Sequence, residues 1–223
     1  MKFIKKIINF YFREYKVNLS GIHDILTNIT FFFISIFIFI FSVGPEKETL
    51  SLLGVGILWT LLLLSSTLSL RKFYQDDFEN GSLIVLHLNG FSFELISILK
   101  TISHFFFVQF PFMMSIPFAS ILLDISVEKM YDLFLSFVIG SFILSCLGSI
   151  SSSMNLLNKR NYLLGSVIVL VFSIPIIIFS VGLINIEDNF NSLINILFGL
   201  LLIIFAINPW VSGACLKLAI QNN

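Results

Sequence analysis

The stretch FYQDDFENGSLIVLHLNG, residues 73–90, interrupts a chain that is otherwise strongly apolar. Its first half places Asp76, Asp77 and Glu79 within four positions. Hydrophobic residues make up 57% of the 223-residue chain and charged residues only 12%, whereas soluble domains carry roughly a quarter of charged residues. A soluble fold could not bury this much apolar surface, so the chain is predicted to be an integral membrane protein with an acidic segment outside the hydrocarbon.

Six apolar stretches flank this segment, and each is long enough to cross a membrane, since a spanning helix needs about 20 mostly apolar residues. In chain order they are 25–43, 50–70, 98–123, 131–157, 163–184 and 192–215. The sequence therefore predicts an all-α, polytopic membrane protein with six transmembrane helices. The third and fourth stretches are long enough to require a tilt or a break. Pro111, Pro117 and Pro175 are candidate kinks.

Lysine and arginine are distributed unevenly between the two sides that these spans would define. Eleven of the 13 fall in the N-terminal segment, the connection 71–97 and its exit, the fourth loop or the tail. Lys47 and Lys129 fall in the other three loops. Because positive residues concentrate in cytoplasmic loops, both termini and the connection 71–97, called the insert below, are predicted to be cytoplasmic.

Residues 1–17 show helical amphipathicity ahead of the first span. The apolar face comprises Phe3, Ile4, Ile7, Ile8, Tyr11 and Tyr15, and the polar face Lys2, Lys5, Lys6, Asn9, Arg13 and Lys16. This pattern is typical of an amphipathic helix in the cytoplasmic membrane interface, with lysines reaching anionic lipid headgroups; a frayed basic tail is the alternative. The chain thus divides into an interfacial helix, 1–20, and a six-helix transmembrane domain, 21–223, with the insert at 71–97.

Signatures of enzymes and of metal sites are absent from the sequence. There is no G-x-x-x-x-G-K-[ST] phosphate loop, no H-E-x-x-H and no G-x-S-x-G. Cys146 and Cys215 stand alone in apolar runs, without the spacing of a metal site or of haem attachment. The chain is predicted not to be an enzyme, to bind no metal or cofactor by a known motif and, with a net charge of zero, to bind no nucleic acid.

The centres of the predicted spans hold essentially no ionisable residues, since Asp24, Lys100 and Asp132 fall near span ends. Ion-coupled transporters need titratable groups inside the membrane. If this protein moves a substrate, the energy is therefore expected to come from a partner. His104, which lies in the third span close to Lys100, is interpreted as a hydrogen-bonding histidine near the interface, with a haem ligand or a proton relay as the alternative.

The insert is predicted to begin with a short helix over residues 73–80, which Gly81 ends because glycine accepts the left-handed cap conformation. A cytoplasmic helix held between two spans suits docking into a groove on a soluble subunit. The candidate coupling residues are Phe73, Asp76, Asp77, Glu79, Gly81 and Ser82. A solvated loop is the alternative, but the aromatic residues and the apolar run 83–88 would then expose too much apolar surface.

The fourth span carries serines at four-residue intervals, at Ser141, Ser145, Ser149 and Ser153. Small residues at this spacing let membrane helices approach closely, so helix packing is the favoured interpretation. A polar transport path that uses the same hydroxyls is the alternative.

Residues 41–83, FSVGPEKETLSLLGVGILWTLLLLSSTLSLRKFYQDDFENGSL, resemble the haem exporter protein B family, CcmB. The matching elements are S-x-G-P-E after the first span, G-I-x-W and L-L-S-S in the second, and F-x-x-D-D-x-x-x-G-S-L in the insert. Toward the end, NPWVSGACLKLAI resembles the closing pattern of the family. Members of this family are the membrane permeases of the ABC transporter for cytochrome c maturation.

This resemblance implies an ABC-exporter-type domain in the bacterial inner membrane, driven by a separate ATPase subunit. The insert would be its coupling helix, residues 1–20 its elbow helix, and Gly44, Pro45 and Glu46 a periplasmic family motif. It also implies further haem-handling membrane subunits as partners and haem as a transported or handled ligand. A homodimer, or pairing with another six-span chain, is expected by analogy.

Three functional readings follow. The first is a permease for haem export or delivery to the periplasm in c-type cytochrome biogenesis, in which haem either crosses this chain or is released from a neighbouring subunit. The second is an ABC-2-type permease for a drug, a lipid or a polysaccharide. The third is a membrane scaffold that transports nothing.

Overall fold

The structure is a computed structural model that describes residues 2–44, 46–70, 72–157, 163–185 and 190–222. Within these ranges the chain is helical and contains no strand. The helices are α1 (Lys2–Ser20), α2 (Ile22–Val43), α3 (Lys47–Leu70), α4 (Lys72–Glu79), α5 (Ser82–Leu88), α6 (Phe93–His104), α7 (Phe110–Leu122), α8 (Met130–Leu157), α9 (Leu163–Asn185) and α10 (Phe190–Gln221). A π-helical segment, Phe105–Gln109, joins α6 to α7, and a 3-10 turn, Val127–Lys129, precedes α8.

Six helical stretches of the described chain are long and apolar enough to cross a membrane, which confirms the predicted all-α, six-span fold. They are Ile22–Val43, Lys47–Glu79, Phe93–Leu122, Val127–Leu157, Gly165–Asn185 and Phe190–Gln221. The third stretch begins earlier than predicted, so positions 93–97 belong to its first helix rather than to the insert. Ser92 sets this start, because its Oγ accepts the N–H of Leu95 at 3.3 Å as an N-cap.

The third span departs from α-helical geometry close to Pro111, one of the predicted kink positions. Pro111 has no N–H to donate to the carbonyl of Phe107, and its ring would crowd that turn of an α-helix. The chain widens there into the π-helical segment, in which the N–H of Phe110 donates to the carbonyl of Phe105. A single π turn inside a longer helix accommodates such a fault. Pro117 and Pro175 lie inside α7 and α9, which remain continuous helices.

The core of the bundle is built around α8. This helix packs most extensively on α9 and α10 and also contacts α3, α4 and α6. Its central position explains why it is the most buried of the six spans, whereas few residues of α2 and of α10 are fully buried. The largest buried side chain in this core is Trp59 of α3, which stacks on Phe137 of α8 with ring centroids 4.3 Å apart.

A second apolar cluster lies where α1, α4, α5, the start of α6 and the end of α10 meet. It comprises Phe10, Phe73, Tyr74, Leu83, Leu86, Phe91, Phe93, Ile96, Leu99, Leu156, Leu216 and Ala219. The N-terminal helix, the insert and the C-terminal helix thus share one end of the bundle, as the charge distribution requires. The side of the membrane that this end faces stays a prediction.

Helix α1 is formed over Lys2–Ser20, so the frayed-tail alternative is wrong. An outward row of apolar side chains is exposed along it: Ile4, Ile8, Phe12 and Tyr15. Phe10 and Glu14 face the protein and are buried. A helix with an apolar row exposed and another side fixed to the bundle suits the membrane interface, although that location stays a prediction.

Candidate functional site

Residues 72–88 of the insert fold as two short helices joined by a glycine turn. Helix α4 ends at Glu79, and Gly81 adopts a left-handed backbone with φ of 69° before α5 begins. This confirms the predicted helix and the predicted role of Gly81 in ending it. Glycine is the residue that reaches positive φ without steric cost, and Gly90 does the same after α5, with φ of 90°.

The inner face of the α4–α5 pair is buried against the rest of the chain. Phe73, Tyr74, Leu83 and Leu86 are all buried in the second apolar cluster. From the sequence, these side chains were predicted to require a partner protein to cover them. That reasoning was wrong for the inner face, because α1, α6, α8 and α10 cover it within the chain.

The outer face of the α4–α5 pair is defined here by Asp76, Glu79, Ile84, Val85 and Leu88, all of which are exposed. The amide of Gln75 donates to Glu79 Oε1 at 2.8 Å, which orders that carboxylate. The outer face therefore presents two carboxylates followed by an apolar row on one side of α5. Ser82 is only half-buried at the start of α5.

Asp77 differs from its acidic neighbours because its carboxylate is paired inside the chain. Arg13 Nη2 donates to Asp77 Oδ1, and Lys100 Nζ lies 2.5 Å from Asp77 Oδ2. Glu14 contacts the same two cations, with Oε1 at 2.6 Å from Arg13 Nη1 and Oε2 at 3.6 Å from Lys100 Nζ. Arg13, Glu14, Lys100 and Asp77 therefore close a ring of alternating charges, called the charge ring below. For Asp77, the coupling role toward an ATPase stays a prediction, and its partners in the structure belong to this chain.

The charge ring is largely removed from water. The side chains of Glu14, Lys100 and Asp77 are 5%, 8% and 8% exposed, and that of Arg13 is 30% exposed. Burial disfavours the charged guanidinium, but the hydrogen bond and the negative charge of Asp77, helped by Glu14, outweigh it and raise the pKa of Arg13. The periodicity of residues 1–17 placed Arg13 on the polar face of α1 but did not predict this ring. The available signal was Lys100, a lone cation within an apolar run.

A hydrogen-bond network connects α4 to three spanning helices. The hydroxyl of Tyr74 lies 2.8 Å from Ser149 Oγ, which is also 3.1 Å from both Ser97 Oγ and Ser212 Oγ. Ser212 Oγ donates to Asn208 Oδ1 at 2.9 Å within α10. The predicted packing serine Ser149 therefore lies at a junction of α4, α6, α8 and α10.

The other three predicted packing serines, Ser141, Ser145 and Ser153, are also fully buried in α8. Ser141 Oγ donates to the carbonyl of Val138, and Ser145 Oγ donates to that of Ser141, so both hydroxyls bond within their own helix. Ser145 Oγ also lies 3.1 Å from His104 Nδ1, which joins α8 to α6. These positions suit the close helix approach for which the serine spacing was interpreted.

His104 is a buried, hydrogen-bonding histidine. Its Nε2 lies 3.3 Å from Ser69 Oγ, and its ring centroid lies 4.8 Å from that of Phe73. Both ring nitrogens therefore have hydroxyl partners. His104 and Lys100 line a cavity of about 200 Å³ between α1, α2, α3, α4 and α6, which Asp76 of the outer face also borders. This volume is smaller than the roughly 300–1,000 Å³ of most small-molecule pockets. Among the described residues, no group of three or more His, Cys, Asp and Glu could hold a metal ion.

The predicted periplasmic motif lies at the opposite end of the bundle from the insert. Gly44 ends α2 with φ of 98°, and its N–H donates to the carbonyl of Ile40 at 2.9 Å. Glu46 Oε2 accepts the hydroxyl of Thr49 at 3.1 Å at the start of α3. Pro45 lies outside the described residues. The described part of the motif thus forms a turn between the first two spans.

Comparison with known proteins identifies the family. The family model described as CcmB protein matches residues 5–219. The chain belongs to the CcmB family. It is 27% identical over 213 residues to heme exporter protein B of Haemophilus influenzae Rd, which covers 94% of this chain and 96% of that protein. It is 28% identical over 211 residues to heme exporter protein B of Escherichia coli K12, covering 93% and 96%.

A shorter but closer match involves heme exporter protein B of Paracoccus denitrificans Pd 1222, at 34% identity over 151 residues, or 68% of this chain and 69% of that protein. The CcmB match also corrects the extent of the resemblance. In the sequence the resemblance was assigned to residues 41–83 and to the closing stretch NPWVSGACLKLAI, whereas the family match covers residues 5–219.

Replacing Gly81 with valine is expected to destabilise the α4–α5 pair by about 1–2 kcal/mol, because a β-branched residue is strained at positive φ. A Cβ there would meet no atom within 4 Å, so the effect comes from the backbone alone. Gly81→Asn is the matched control, since asparagine tolerates the left-handed conformation. Hydrogen exchange of α4 and α5 amides should be faster in Gly81→Val than in Gly81→Asn; equal rates would contradict the assignment.

Proposed function

We propose that this chain is the permease subunit of an ATP-driven transporter required for haem export or delivery to the periplasm in c-type cytochrome biogenesis. The observation that carries the proposal is the CcmB match over residues 5–219, together with relatives named heme exporter protein B that align along most of their length. The six-span fold with a helical insert supports a permease rather than an enzyme.

The energy for transport would come from a separate ATPase subunit. The sequence has no phosphate loop of its own and essentially no ionisable residue at the span centres. The outer face of the α4–α5 pair supplies a suitable contact, because exposed carboxylates beside an apolar row fit a groove with basic edges. An apolar groove floor would cover Ile84, Val85 and Leu88, which are otherwise uncovered.

The transporter would lie in the bacterial inner membrane with both termini and the insert cytoplasmic, as the Lys and Arg distribution favours. This orientation places the outer face where ATP is available. Further haem-handling membrane subunits, or a second copy of this chain, would complete the assembly. The large uncovered surfaces of α2 and α10 leave room for them as well as for lipid.

Haem is proposed as the transported or handled ligand. Two routes for haem are compatible with this function. In one, haem crosses this chain; in the other, ATP turnover drives its release from a neighbouring subunit. The cavity beside His104 is small for a haem, and both nitrogens of that histidine already have partners. This arrangement favours release from a neighbour over a haem site on His104.

The proposed function is tested by deleting the gene and staining membrane proteins for covalently bound haem, with b-type cytochromes as the internal control. We expect the c-type signal to disappear and to return with the wild-type gene, while b-type cytochromes persist. An unchanged c-type signal would reject the proposal and favour a permease for another cargo, such as a drug, lipid or polysaccharide, or a non-transporting scaffold.

Reversing both carboxylates of the outer face, Asp76→Lys with Glu79→Lys, is expected to reduce co-purification of the ATPase about tenfold. Like charges placed opposite a basic surface oppose association. The level of the chain itself should not change, because both side chains are exposed and substitutions at such sites are usually tolerated. Glu128→Lys, an exposed acid at the opposite end of the bundle, is the matched control. Equal ATPase recovery from the double variant and the control would remove the outer face from the contact.

A further inference from the structure

The charge ring joins three parts of the chain that are separate in the sequence. Arg13 and Glu14 lie on α1, Asp77 lies on α4, and Lys100 lies on α6, the first helix of the third span. Lys100 Nζ also donates to the carbonyl of Phe73 at 3.1 Å, so α4 is held to α6 through its backbone as well. Neighbouring charges around the ring have opposite signs, so every contact within it is attractive.

Helix α1 is fastened to the insert at both ends. Near the end of α4, Arg13 holds Asp77, and after α5, Lys6 Nζ donates to the carbonyl of Asn89 at 2.8 Å. Between these points the ring of Phe10 lies 6.0 Å from that of Phe91. The helix therefore contacts the insert by charge at α4 and by a hydrogen bond and aromatic packing just after α5.

The charge ring is the firmest of these ties. An exposed ion pair is weakened by water and by salt, and it opens readily. Here three of the four side chains are 5–8% exposed, so separating α1 from α4 would leave unpaired charges in a nearly dry environment. Separating α1 from α4 is therefore more costly than opening an exposed ion pair.

We propose that the charge ring transmits movement of the insert to both α1 and the third span, which makes Arg13, Glu14 and Lys100 positioning residues for energy coupling. This rests on the proposed function, because the movement would originate in an ATPase docked on the outer face. Helix α1 is then a working part of the coupling device as well as a membrane-surface helix. The outer face binds the ATPase, and the charge ring behind it distributes the motion.

The test uses the full complex of this chain with its ATPase in lipid nanodiscs. A spin label is placed on exposed Ile8 through Ile8→Cys, with both native cysteines replaced by alanine. The label's mobility is compared with and without ATP and vanadate.

The neutral pair Arg13→Gln with Asp77→Asn removes the link between α1 and α4, while Glu14 and Lys100 stay charge-balanced. Arg13→Lys is the conservative variant, and Lys16→Gln, at an exposed cation of the same helix, is the control.

We expect the nucleotide-dependent change in label mobility to fall at least fivefold in the neutral pair and the c-type cytochrome yield to fall at least tenfold. ATPase co-purification should stay within twofold of wild type, and Arg13→Lys and Lys16→Gln should behave as wild type. If the neutral pair does not accumulate in membranes, the single variant Arg13→Gln replaces it in the same measurements. This variant is expected to fold, because the Arg13 side chain is 30% exposed.

Two outcomes would overturn the inference. A label that responds to nucleotide normally in the neutral pair would mean that the charge ring transmits nothing to α1. Loss of ATPase co-purification would mean that the charge ring only shapes the docking surface. Failure of the proposed function gives a different result from failure of this inference. The wild-type chain would then co-purify no ATPase, or deletion of the gene for this chain would leave c-type cytochromes intact.

Discussion

Replacing Lys100 with methionine is expected to lower the free energy of unfolding by about 3–5 kcal/mol, because removing one partner of a buried ion pair leaves uncompensated charge. Methionine keeps much of the length and apolar volume of the lysine stem. It leaves the carboxylates of Glu14 and Asp77, 5% and 8% exposed, facing the single guanidinium of Arg13. It also removes the donor to the carbonyl of Phe73. Thermal unfolding in detergent measures the loss.

Lys16→Met on α1 is the matched control. Lys16 is exposed, and its ammonium lies 4.8 Å from the ring centroid of Phe12, a contact worth about 0.5–1 kcal/mol at an exposed site. Adding Glu14→Gln to Lys100→Met should recover part of the loss, since one carboxylate then faces one guanidinium. If Lys100→Met were as stable as Lys16→Met, the charge ring would not be closed in the folded protein.

The spans and the charge ring differ in how far the sequence could predict them. Hydropathy predicts each span because the bilayer imposes its own length requirement on every helix separately. The ring depends on how α1 docks against α4 and joins Arg13 to Asp77 across 64 positions of the chain. The periodicity of residues 1–17 placed Arg13 on a polar face but contained no information about which protein surface that face would meet.

The insert shows the same division between local and tertiary information. Gly81 ended α4 as predicted, because a left-handed cap is a local backbone property. From the sequence, Tyr74 was counted as apolar surface that a partner protein would cover, whereas its hydroxyl forms a hydrogen bond with Ser149 of α8. The serine spacing in α8 predicted close helix packing, but it could not reveal that a helix of the insert would place an aromatic hydroxyl against the spans.

The G-I-x-W element of the second span was used only as a mark of family resemblance, and the structure gives it a physical role. Trp59 is fully buried between α3 and α8, where it stacks on Phe137 at an interplanar angle of 24°. The far edge of its ring lies against Gly140, next to the serine series of α8. A glycine at that point is therefore required by the width of the tryptophan ring.

Replacing Gly140 with alanine is expected to destabilise the bundle by about 3 kcal/mol, the upper end of the usual cost of overpacking. The added methyl carbon would lie 2.3 Å from Trp59 Cη2, 3.0 Å from Cζ3 and 3.2 Å from Cζ2. The ring cannot move away easily, because it is fully buried and stacked on Phe137. The midpoint of thermal unfolding and the amount of folded chain in membranes should both fall.

Gly199→Ala in α10 is the matched control, since a Cβ there meets no atom within 4 Å and alanine favours a helix over glycine by about 1 kcal/mol. A second variant tests the mechanism directly. Gly140→Ala combined with Trp59→Phe should recover part of the lost stability, because phenylalanine lacks the ring atoms that meet the methyl group. Within the described residues Trp59 Nε1 has no hydrogen-bond partner. Replacing the tryptophan therefore removes packing contacts but no hydrogen bond. If Gly140→Ala unfolded no earlier than Gly199→Ala, close contact between α3 and α8 at this point would be refuted.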